Sequence, residues 1–107
     1  MSAVTKDLLF QVERVAIAPL RRIEAARPKG YVHTNYTAWK VRKTEVERSA
    51  MHQLAAIGAE TSLTENRAAI ALAGITARSG RGLLGALLSW RRKASQSQTE
   101  EKRRVAR

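Results

Sequence analysis

Residues 62–79 read SLTENRAAIALAGITARS, and the folding of that stretch decides the architecture. Ser62 and Glu65 stand at the S-x-x-E spacing of a capping box, where a hydroxyl and a carboxylate close two amides left open at a helix start. Behind them Ala68, Ala69, Ile70, Ala71, Leu72, Ala73, Gly74 and Ile75 are apolar on every side of a helical wheel, which marks a buried helix. Their small side chains let neighbouring backbones approach closely. The spacing therefore predicts a central packing helix that starts at Ser62 and ends before the Ser79, Gly80, Arg81, Gly82 break.

Working outward, Ser2 or Thr5 caps a first helix in which Leu8, Leu9, Val12, Val15, Ala16, Leu20 and Ile23 recur at three- and four-residue steps along one face. Pro19 falls inside it, removes the amide that would bond to the Val15 carbonyl and predicts a kink or a junction of two short helices. Pro28, Lys29 and Gly30 end the segment. Tyr31 to Asn35 is too short and too isolated for a paired strand, so no sheet is expected. A second helix then runs from Thr34 or Asn35 to about Ile57, with Trp39, Val46, Ala50 and Leu54 on its apolar face and Gly58 as its stop. Downstream, Leu83, Leu84, Leu87, Leu88 and Trp90 form a narrow apolar ridge on a fourth helix.

The expected fold is all-α: a small antiparallel bundle of about four helices over residues 1–94, the first one kinked, followed by a basic, flexible C-terminal tail at 95–107. Too little apolar surface remains in that tail to offset the entropy of ordering it. Ser97 and Glu100 repeat the S-x-x-E spacing, so the tail is expected to be mobile or to become helical on binding. One modest core is what 107 residues allow, and a homodimer would enlarge it.

Charge is unevenly placed. Residues 1–77 hold eleven Lys and Arg against seven Asp and Glu, and residues 78–107 hold nine against two, so the net +11 divides into +4 and +7. A field of that sign favours polyanions or anionic membrane. No uncharged run approaches the roughly 20 residues a spanning helix needs, the start lacks the order of a secretory signal, and there is no cysteine. These features point to a cytoplasmic protein.

Catalysis is not expected, nor is any cofactor or metal. His33 and His52 lack the partners that acid–base or metal chemistry requires. Gly80, Gly82 and Gly85 open a helix as phosphate loops do, but no Lys-Ser or Lys-Thr pair follows. The leading expectation is a non-enzymatic nucleic-acid-binding protein. Arg78, Arg81, Arg91, Arg92, Lys93, Lys102, Arg103 and Arg104 would neutralise backbone phosphates and release their counterions. Residues 46–77 also have the outline of a helix-turn-helix, in which Thr64, Asn66 and Arg67 would read bases from the first turn of the second helix. Against this stands a protein-interaction module, a small inhibitor or adaptor of the kind a phage or mobile element carries, docking Leu83, Leu87 and Trp90 on a partner protein. Attachment to a membrane surface through the segment from Gly82 to Lys93 ranks last.

Overall fold

A computed structural model describes residues 5–30, 33–65 and 67–105, with side chains described for 5–30, 35–65 and 67–97. Thr5 starts the first helix: its backbone is extended and its Oγ1 accepts the Leu8 N–H at 3.1 Å. Helix α1 (Lys6–Val12) passes into a π-helical turn (Glu13–Ile17) and then into α2 (Ala18–Ala25). In the π turn the Ala18 N–H reaches five residues back to the Glu13 carbonyl. The wider turn falls immediately before Pro19, whose ring would otherwise strike the Val15 carbonyl and which has no amide to give. Pro19 thus marks a widened turn in one rod rather than a break. The rod buries Val12, Ala16, Ile17, Leu20 and Ile23.

Helix α3 (His33–Ala56) folds back along this rod, bringing Val46 beside Pro19 and Ile23. Trp39 is buried, and its indole N–H donates at 2.7 Å to the Ile23 carbonyl, which also accepts the Ala26 N–H where α2 ends. The other end of α3 closes through its own backbone. Gly58 takes a φ of 96°, its N–H bonds to the Ala55 carbonyl, and the Ala59 N–H bonds to the Leu54 carbonyl at 2.9 Å. This is a Schellman motif, and the buried pair Leu54 and Ala59 makes the apolar contact that accompanies it. Gly58 stops the helix, as its place in the sequence predicts.

Beyond Gly58 the chain departs from expectation. Residues 60–79 form an antiparallel meander of three strands, β1 (Glu60–Leu63), β2 (Ala68–Leu72) and β3 (Ile75–Ser79), in the order β1-β2-β3. The molecule is therefore an α+β fold, and the all-α bundle of about four helices is incorrect. So is the helix-turn-helix over 46–77, because its second helix is a hairpin. Two turns explain this. Between β1 and β2, the Thr64 Oγ1 accepts the Arg67 N–H at 3.1 Å and the Thr64 N–H donates to the Arg67 carbonyl at 2.8 Å. The closure of an amide by a hydroxyl three residues earlier is thus present, but two positions later than the expected Ser62–Glu65 box, and it fastens a hairpin. Between β2 and β3, Ala73 and Gly74 have φ of 54° and 77°, the signature of a type I′ turn.

The run that looks apolar all round alternates when it is extended. Ala68, Ile70 and Leu72 are buried, whereas Ala69 and Ala71 are only half-buried. The inner face of the sheet packs on α4 (Leu83–Val105), which runs back along β3: Gly85 lies against Ser79, and Trp90 and Lys93 reach the carbonyls of Leu72 and Thr76. On its other side α4 meets the π turn, where the Arg91 guanidinium pairs with the Glu13 carboxylate at 2.6 Å. Helix α4 continues through residues 95–97 and onward to Val105, with Ala94 fully buried.

Candidate functional site

Strand alternation and register define the face of the sheet turned away from α4. Ser62 pairs with Ala69 and Ala69 with Arg78 to form one row across it, and Glu60, Ala71 and Thr76 form the next. Thr64 and Arg67, joined by their turn, and Gly80 continue the same face at its end. Here an open groove of about 640 Å³ is lined by Ser62, Thr64, Arg67, Ala69, Arg78 and Gly80, with Ala68 and Ser79 at its edges. Its shape follows from side-chain size. Arg67 and Arg78 stand on one diagonal, while Ala69 and Gly80, which project little or nothing, leave the depression between them.

Neither guanidinium has an ion-pair or hydrogen-bond partner among the described residues, and neither Glu60 nor Glu65 lines the groove. The hydroxyls are partly committed. Thr64 Oγ1 holds its turn, Ser79 Oγ accepts the Arg81 N–H at 3.0 Å, and Ser62 is exposed.

The basic residues expected to act together are divided by the fold. Arg78 lines the groove and Arg81 is exposed in the adjoining loop. Arg92 is exposed on α4, toward the opposite end of the sheet. Arg91 and Lys93 hold the structure together, the first through Glu13 and the second by donating to the Thr76 carbonyl at 2.9 Å. Lys102, Arg103 and Arg104 fall in the last turns of α4, and their side chains lie outside the described residues. Thr64 and Arg67 sit in the β1–β2 turn rather than on a recognition helix, and Asn66 lies outside the described residues. Leu83, Leu87 and Trp90 are fully enclosed by the chain's own sheet and helices.

A second cluster lies where α2, α3 and the start of α4 meet. Leu20, Glu24, Lys43, Glu47, Arg81, Gly82, Leu83 and Leu84 surround a void of about 10 Å³, room for one water. Lys43 pairs with Glu24 at 2.9 Å. Burial pushes the Glu47 carboxyl above its ordinary range, Lys43 opposes the rise and Glu24 adds to it. No group of three or more His, Cys, Asp or Glu side chains that could hold a metal ion occurs among the described residues.

The chain matches no protein family, no characterised protein and no solved structure with which it was compared. Its function has to be read from this geometry.

Proposed function

We propose that this chain is a non-enzymatic nucleic-acid-binding protein that holds the phosphate backbone through arginines on the open face of its sheet. The observation that carries the reading is the pair Arg67 and Arg78, unpartnered among the described residues, on either side of a groove from which acidic side chains are absent. A guanidinium without a carboxylate keeps its full charge for a ligand, and its planar fork matches phosphate oxygens bidentately. Arg81, exposed in the adjoining loop, extends the contact, and the net +11 supplies the long-range attraction.

A protein-docking role finds less support. The ridge it would use is buried, and the large exposed apolar side chains among the described residues are Phe10 and Val41. No helix among the described residues is long and apolar enough to cross a membrane. The reading places the protein with its ligand in the cytoplasm.

Affinity for a labelled 20-mer measured from low to high salt tests this. Three or four neutralised phosphates give a slope of log K against log salt of roughly −2 to −4. Absence of binding at low salt, or binding that salt does not weaken, would refute it.

A further inference from the structure

Resting on that reading, we infer that the groove between Arg67 and Arg78 is a single-strand site, which takes one phosphate between the two guanidiniums and lays the attached base on the Ala69 floor. The backbone places the two arginines on the same face as diagonal neighbours, since Ala69 pairs with Arg78 and Arg67 precedes Ala69 by two residues. Diagonal positions are roughly 7–8 Å apart. Two like charges carried on neighbouring positions, with no acid lining the groove between them, repel each other in the free protein. An anion bound between them turns that repulsion into two charge-assisted contacts.

The floor decides between strand and duplex. Ala69 and Gly80 give a shallow, flat depression with apolar carbon at its base and the exposed Ser62 hydroxyl at its rim. A flat unstacked base can lie in such a recess, and an arginine plane can stack on it. A duplex keeps its bases stacked inside and is read by elements that project into its grooves. Apart from the two arginines, every side chain that lines the groove is short. The volume, about 640 Å³, falls in the range that holds a small ligand such as one nucleotide.

Fluorescence anisotropy with a labelled twelve-residue oligothymidylate and a twelve-base-pair duplex tests the site, using the full chain and variants checked for folding by circular dichroism. Arg67→Ala and Arg78→Ala should each weaken strand binding roughly tenfold, the loss of one charge-assisted contact. Ala69→Leu, which fills the recess and leaves every charge in place, should weaken it similarly. Arg14→Ala removes the same charge from the exposed side of the helical rod and should change it less than about threefold. The site is refuted if Arg14→Ala matches Arg78→Ala, or if Ala69→Leu has no effect while salt-sensitive binding persists. Tighter binding to the duplex, or to phosphatidylserine vesicles, overturns the single-strand assignment. If the parent chain binds no nucleic acid at low salt, the broader reading fails with it.

Discussion

Replacing Ala73 by Asn and, separately, Gly74 by Ala gives stability changes whose signs depend on the local fold. In the hairpin both positions have positive φ, 54° and 77°. An L-residue there meets a steric penalty of roughly 1–2 kcal/mol, which Asn partly escapes and Gly avoids. Ala73→Asn installs Asn-Gly, the preferred type I′ pair, and should stabilise the chain. Ala73 is partly buried against the core, so an offset for the polar amide leaves a net gain of about 0.5–1 kcal/mol. Gly74→Ala should destabilise by about 1–2 kcal/mol; no heavy atom would crowd the added methyl, so the loss is one of backbone strain. A buried helix over the same residues demands the reverse: Asn would lose up to about 0.7 kcal/mol relative to Ala, and Ala would gain about 1 kcal/mol over Gly. Urea unfolding followed by circular dichroism, with m-values compared to check that only stability has changed, reads both variants. A destabilising Ala73→Asn together with a stabilising Gly74→Ala would refute the hairpin.

Other substitutions probe the packing around it. Gly85→Ala should destabilise by about 1 kcal/mol despite the roughly 1 kcal/mol of helix propensity gained, because its methyl would stand 2.5 Å from Ser79 Oγ and 3.2 Å from Arg81 Cβ. Thermal melts should show Ser79→Ala recovering part of that loss in the Gly85→Ala background. Trp90→Phe removes the bond to Leu72 at 3.1 Å and part of a fully buried ring, for an expected loss of about 2 kcal/mol and a fall in Tm of roughly 8 °C. The raised Glu47 carboxyl favours the protonated form in the folded state. Its contribution is complete below the unfolded value near 4.5 and lost as pH rises through the folded one. Glu47→Gln should therefore be more stable than the parent at pH 7, with the difference shrinking on acidification; a difference that grows toward acid would sink the assignment.

The helices are legible from sequence where the three- and four-residue spacing is strong and the ends are marked by Thr5 and Gly58. The sheet is not, for a physical reason. Alternation in β2 sets Ala68, Ile70 and Leu72 against Ala69 and Ala71, and alanine on the outer face erases the polar half of the pattern. The turn that would have announced a hairpin holds Ala73 where Asn is usual, so only Gly74 signals it. The same substitution of small for polar residues hides the site. Arg78 stands out as charge, but Ser62 and Ala69 become its neighbours only through cross-strand pairing, which no local spacing reports. The continuation of α4 beyond Ala94 has no apolar stripe to announce it, because residues 95–104 are polar, and only the S-x-x-E spacing of Ser97 and Glu100 points to helix there.

The two tryptophans bond to backbone carbonyls 16 and 18 residues earlier in the chain, Trp39 within the helical pair and Trp90 between α4 and the sheet. They are the only tryptophans in the sequence, one in each successive half. Each half thus carries its own fluorophore. Chains keeping a single indole would report the melting of residues 6–56 and of 60–105 as separate optical signals, and coincident midpoints would show that the one core shared by both halves unfolds as a unit.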